Sequence, residues 1–266
     1  MNVQTHESEP ANKPLDGALQ EILAHSKRRL ERIPPDLYSL MRMPNLFIFT
    51  QRMRAIVKLL RREGFVSLEG RRILEVGCGA GDWLLYVVLC GATPEFLSGI
   101  DLDESEIARA LVKLPRADLR TGDAAHLPWP DKNFDIVMQM TAFSTMLQPR
   151  LRRSVAREMV RVVKPDGMIL WYDLRVDNPW NPGIRPVTPR EIKRLFPGCS
   201  LRLRTVTLLP PLTRRIVPLS WTAALFLDKI PLLRTHILGC IRPRQSGRPS
   251  SRSRRSPKKA LSRGTT

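Results

Sequence analysis

At 266 residues with an apolar fraction of 42%, the chain suits one domain with appended ends. Its formal charge of +19 is uneven, because nine basic residues and no acid lie from Arg242 onward and the first 241 residues carry only +10, which makes nucleic acid an unlikely partner. Four scattered cysteines (Cys78, Cys90, Cys199, Cys240) imply no disulfide or metal site, and no apolar run reaches the roughly eighteen residues of a spanning helix. A cytoplasmic protein fits best, with peripheral contact at the inner membrane left open.

In chain order, Leu15, Leu19, Ile22, Leu23 and Leu30 recur at mostly helical spacing and predict an N-terminal helix. After the Pro34-Pro35 break, Phe49, Met53, Ile56, Val57 and Leu60 share one face of a second helix over about 45–62, stopped at Gly64. Residues 1–66 thus read as a helical extension beside a domain spanning 67–241.

From Arg71 short β-rich runs alternate with helical ones, the pattern of βαβ units and a parallel sheet. Strands are predicted near 71–76, 96–101, 118–122, 134–140, 167–173, 201–208 and 235–241. Helices are predicted near 80–90, 104–112 and 150–164, the last ending in a Lys164-Pro165-Asp166-Gly167 turn. The fold class is α/β, a Rossmann-like doubly wound and mostly parallel sheet with N-terminal helices and a C-terminal cap. The apolar stretch 208–238 reads as a cap over a pocket, as a surface segment resting on a membrane, or as plain core packing. Residues 242–266, rich in Arg, Ser, Pro and Gly, are expected to be a disordered basic tail.

The chemistry concentrates at strand ends. The strand Ile73-Leu74-Glu75-Val76 runs into Gly77-Cys78-Gly79-Ala80-Gly81 and then a helix, the context in which a ligand approaches the backbone beyond a parallel sheet. Glu75 in front of the loop would repel a pyrophosphate and attract the ammonium and sulfonium-bearing part of S-adenosylmethionine. Asp101, ending the next strand, suits both hydroxyls of a ribose, and Leu102 offers adenine an apolar edge. Asp123 after the third strand suits the adenine amino group or, alternatively, caps its own turn.

These segments resemble class I S-adenosylmethionine-dependent methyltransferases, in particular the group that includes ubiquinone and menaquinone biosynthesis enzymes. The match runs over about 71–175 through Glu75 to Gly81, Asp101, Asp123-Ala124, Phe134-Asp135-Ile136-Val137 and Val162-Val163-Lys164-Pro165-Asp166-Gly167. It departs at Asp166, where the group usually has glycine, and at Gln139-Met140-Thr141-Ala142-Phe143, where the group often has a histidine. The resemblance implies S-adenosylmethionine as cofactor, held by Glu75, Gly77, Cys78, Gly79, Gly81, Asp101, Leu102, Asp123, Ala124 and Gln139, with no metal.

Methyl transfer needs alignment more than a base. Thr141, Phe143 and Tyr172 are the expected acceptor pocket, and Asp173 at a strand's carboxyl end is the candidate general base, with capping as its alternative role. The acceptor expected is a small or lipid-linked molecule, O-methylated on resemblance. A nucleic-acid methyltransferase and a non-catalytic S-adenosylmethionine-binding scaffold are the alternatives.

Overall fold

The computed structural model describes residues 17–24, 34, 36–177, 181 and 183–244. Seven strands form one sheet: β1 (Ile73–Val76), β2 (Leu97–Asp101), β3 (Asp118–Thr121), β4 (Phe134–Met140), β5 (Val163–Leu174), β6 (Cys199–Leu208) and β7 (Arg234–Pro243). Their order is β3-β2-β1-β4-β5-β7-β6, with β7 antiparallel to both neighbours and the remaining pairings parallel. The order reverses between β1 and β4, so the crevice beyond the carboxyl ends of those strands is where such a sheet binds ligands.

Helices cover both faces. On one lie α2 (Met43–Arg62), α3 (Asp82–Leu89) and α4 (Glu104–Lys113), whose Ile56, Leu60, Leu84 and Ile107 share a core with Ile73, Met138 and Leu170. On the other, α5 (Pro149–Val162) and α6 (Pro189–Leu195) pack Val155, Met159 and Ile192 against Leu74, Val137 and Ile169. The helix at 17–24, α1, sets Ala18 into this second core with Leu19 and Ile22 beside it. Each helix follows from its sequence. Proline in the first turn and Arg61-Arg62 in the last suit α2, and Asp103 caps α4 by accepting from the Ser105 N–H at 2.9 Å.

Two expected boundaries are corrected. Residues 164–167, expected as a turn, loop out within β5, where the register jumps from Phe134↔Val163 to Ile136↔Met168. Gly167 is needed there, since a Cβ would lie 2.7 Å from the Asp135 carbonyl oxygen. Arg242 and Pro243, expected in the tail, belong to the sheet instead, because β7 reaches Pro243 and Arg242 bonds the carbonyls of Asp166 and Glu63 at 2.7 Å each. The expected tail beyond Arg244 lies outside the described residues, as do Leu15 and Leu30 of the expected N-terminal helix.

The stretch 208–238 divides into an excursion and a strand. Helices α7 (Pro210–Ile216) and α8 (Trp221–Leu227) form the excursion between β6 and β7, and residues 234–238 belong to β7 inside the sheet. Leu208, Val217 and Ala224 make a small core with Phe47 of α2, whose ring meets Trp221 edge-on at 5.0 Å. Since β6 runs in the same sense as β5, this excursion rises from the sheet edge where the strand-end loops lie. No described helix is long and apolar enough to cross a membrane.

Candidate cofactor and acceptor site

The glycine loop leaves β1 with Gly77, Gly79 and Gly81 all at positive φ, a conformation that costs any L side chain. A Cβ on Gly77 would sit 2.7 Å from Cβ of Ala142, whereas one on Gly79 would find nothing nearer than a Glu106 oxygen at 3.8 Å. Gly77 is thus required by the fold, and Gly79 opens on free space where a ligand can approach. The loop's N–H groups are already engaged: Gly77 and Cys78 donate to the Ile100 carbonyl at 2.9 and 3.1 Å, Gly81 to that of Cys78, and Gly79 to Asp101 Oδ2 at 2.8 Å. Such a loop has few donors left for a pyrophosphate.

Acids surround it. Glu75 is 1% exposed, and its Oε2 has no hydrogen-bond partner among the described residues. Burial, with Asp101 and Asp82 adding repulsion, pushes its carboxyl well above the ordinary range, opposed by the Leu84 N–H. A buried acceptor left unbonded is costly, and an ammonium would satisfy it. Asp101 accepts from Gly79 and Asp103 N–H groups, one on each oxygen, which leaves each oxygen further capacity for a hydroxyl. Leu102 beside it is half-buried. Cys78 turns its thiol into the core against Gly99, and burial raises its pKa, so it offers only backbone.

Further along the strand ends, Asp123 accepts from the Ala125 N–H at 2.8 Å and meets His126 Nδ1 at 3.1 Å. It does cap its turn, and its half-buried carboxylate keeps capacity for an outside donor. Ala124 packs on the core nearby.

Four of the expected site residues are buried and engaged with the protein itself. Gln139 is fully buried, accepting from Ala142 N–H at 3.1 Å and donating to the Tyr172 carbonyl at 3.3 Å. It ties β4, β5 and the 141–148 loop together. Phe143 is fully buried against Trp171, ring centres 4.7 Å apart, a core residue rather than a pocket wall. Tyr172 is 1% exposed, stacked on His236 at 4.8 Å with its hydroxyl 2.8 Å from Thr207 Oγ1. Asp173 is wholly buried and accepts from Leu174 N–H at 2.7 Å and Ser144 N–H at 3.2 Å. Burial raises its pKa to about 6, and its bonds hold the loop after β4.

That loop stores strain. Thr141, half-buried, has φ +71 and donates its N–H to the Tyr172 carbonyl at 2.8 Å, a backbone conformation uncommon for a β-branched residue and typical of functional sites. Arg152, fully buried, anchors the far side through Met146 O, Glu191 Oε1 and Arg185 O at 2.7, 2.7 and 2.9 Å. Sequence reading missed Arg152, and also Arg52 and His236, which face α3 and β5. Helical spacing marked Arg52 only as one polar position among several. Among the described residues no cluster of three or more His, Cys, Asp or Glu is placed to hold a metal.

The glycine loop, its acid collar and the reversed sheet order are the features that the resemblance to class I S-adenosylmethionine-dependent methyltransferases implies, and comparison finds similarity to a methyltransferase domain over the same residues. Residues 73–167 match a family model described as a methyltransferase domain. A phthiotriol/phenolphthiotriol dimycocerosates methyltransferase of Mycobacterium ulcerans is 36% identical over 115 residues, 42% of this chain and 41% of that protein. A fatty-acid O-methyltransferase of Mycolicibacterium smegmatis is 37% identical over 111 residues, 41% of this chain and 39% of that one. The chain spans less than half the length of these curated relatives. The crystal structure of a SAM-dependent methyltransferase from Archaeoglobus fulgidus, 18% identical, superposes with a TM-score of 0.52 over 74% of this chain and 98% of that one, which shows the shared fold.

Proposed function

We propose that the protein transfers a methyl group from S-adenosylmethionine to an oxygen of a lipid-like acceptor. The observation that carries the donor half is the buried, unbonded Glu75 oxygen below a glycine loop whose own N–H groups are engaged. Those residues fit a cationic amino-acid group and a ribose, with Glu75 facing the ammonium, Asp101 the hydroxyls and Asp123 the adenine edge. When bound, S-adenosylmethionine supplies an already activated methyl group on a sulfonium. The chain's task is to align the acceptor oxygen in line and exclude water, and the loop held by Gln139, Asp173 and Arg152 gives that alignment a rigid wall.

The lipid half is supported by the acceptors printed in the relatives' names and by the apolar surroundings of the site. Met53, Leu60, Trp83, Tyr86, Met138 and Met140 line an apolar crevice between α2, α3 and the sheet, with methionines able to readjust around a chain. On the excursion, Leu219, Phe226, Ile230 and Leu232 are exposed, as are Tyr38 and Met41 before α2 and Met43 at its start. With Arg214, Arg215 and Lys229 close in sequence, this suits peripheral contact with an anionic membrane. The test is incubation with methyl-labelled S-adenosylmethionine and long-chain acids, alcohols and phenols. Label in an organic-extractable ester or ether supports the reading, and label only in nucleic acid or protein refutes it.

A further inference from the structure

One cation on the cofactor face lacks a counterpart. Arg52, half-buried in the middle of α2, sets its guanidinium 4.2 Å from the Trp83 ring centre and 5.2 Å from that of Tyr172. Its Nε is buried without a hydrogen-bond partner, and among the described residues it forms no ion pair. Aromatic faces attract a cation but leave its in-plane donors unused. A guanidinium with a buried, unused Nε–H beside its open terminal donors is well shaped for a planar, bidentate anion.

The neighbouring groups narrow the choice. Glu75 and Arg52 both abut the first turn of α3, the acid under the Leu84 N–H and the guanidinium over Trp83. Glu75, Ile73 and Tyr172 turn to the same face of the sheet as α2. A carboxyl with one unbonded oxygen and a guanidinium without an ion pair, flanking one helical turn, are complementary to a zwitterionic α-amino-acid group. His236, stacked on Tyr172, has Thr235 Oγ1 on its Nδ1 at 2.9 Å and adds no second positive charge at neutral pH. One guanidinium between neutral rings matches a monoanionic carboxylate better than a phosphate dianion.

We propose that Arg52 is the carboxylate-binding residue of this site. The inference rests on the methyl-donor reading above. The carboxylate comes either from the methionyl part of the donor or from the acceptor. In the second case the carboxylate oxygen forms the new O–C bond as the S–CH3 bond breaks, the sulfur keeps that electron pair, and no proton has to move. This also agrees with Asp173 being wholly buried.

The test is calorimetric titration of the wild-type chain, Arg52→Met and Arg52→Lys with two probe pairs. One pair is S-adenosylhomocysteine and its decarboxylated analogue, the other dodecanoate and dodecanol. In wild type one pair should show a preference of about 10- to 100-fold for the carboxylate member, the size of a charge-assisted hydrogen bond, and that pair names the source. Arg52→Met should abolish the preference and Arg52→Lys keep part of it. Each comparison is made within one variant, so a loss of packing on Trp83 cancels. If wild type binds S-adenosylhomocysteine but neither pair discriminates, or if the preference survives in Arg52→Met, this proposal fails alone. If wild type binds none of the four probes, the donor reading fails with it.

Discussion

The contact between Gly77 and Ala142 couples the cofactor loop to the loop after β4, and its strength can be worked from the structure. In Gly77→Ala, alanine at φ +71 costs about 1–2 kcal/mol. Its methyl would stand 2.7 Å from the Ala142 Cβ, well inside van der Waals contact, and overpacking of that kind adds about 1–3 kcal/mol. The single variant should therefore lose about 2–5 kcal/mol in urea unfolding. Ala142→Gly removes the overlap but leaves the left-handed backbone, so the double variant should recover the steric share, a coupling of about 1–3 kcal/mol in a double-mutant cycle. Gly79→Ala, with open space around its added methyl, should lose only the backbone share while still impairing S-adenosylhomocysteine binding. A coupling below about 0.5 kcal/mol would refute the idea that the two loops are packed as one unit.

Three further outcomes are expected. Burial beside Arg52 pushes His236 down to about 3. A depressed folded-state pKa gives stability that is present above the unfolded value of 6.5 and is lost as pH falls toward 3. The half-buried ring should then cost about 1–2 kcal/mol between pH 7 and 5, and His236→Phe, which keeps the stack on Tyr172, should remove that loss in thermal melts at the two pH values. Arg152→Ala strands two buried carbonyls and breaks the pair with Glu191, so a loss of about 3 kcal/mol or more in chemical unfolding is expected; a loss under 1 kcal/mol would show that water replaces the guanidinium. Vesicles rich in phosphatidylglycerol should sediment the wild-type chain at low salt, and Phe226→Ser with Leu232→Ser should weaken this several-fold; equal binding to phosphatidylcholine vesicles, or no effect of the variants, would count against membrane contact.

Much of the fold was legible because local signals and tertiary structure agree in it. The Glu75 to Gly81 run, the acid at 101 and the proline and glycine breaks place β1 and β2 without any contact information, whereas the order of the strands emerges only from the structure. The acceptor side was less legible for a physical reason. Sequence shows that Gln139, Phe143, Tyr172 and Asp173 lie at strand ends, but not that the protein uses those side chains itself, for a carbonyl, a tryptophan face, a threonine hydroxyl and a loop N–H. Arg52 was hidden for the converse reason. It looks like Arg54 or Arg61 in a helical pattern, and only packing shows that it lies between two rings without a carboxylate. The turn expected at 164–167 was misplaced because Pro165 and Gly167 also suit a bulge inside a strand.

The central claim is that the glycine loop and its acids bind S-adenosylmethionine, and titration calorimetry of the full chain with S-adenosylmethionine, S-adenosylhomocysteine and NAD tests it most directly. The account predicts binding of both methionine-derived ligands, lost in Gly79→Arg, weakened in Asp101→Ala and absent for NAD. Folded protein that binds neither, or that prefers NAD, would contradict it.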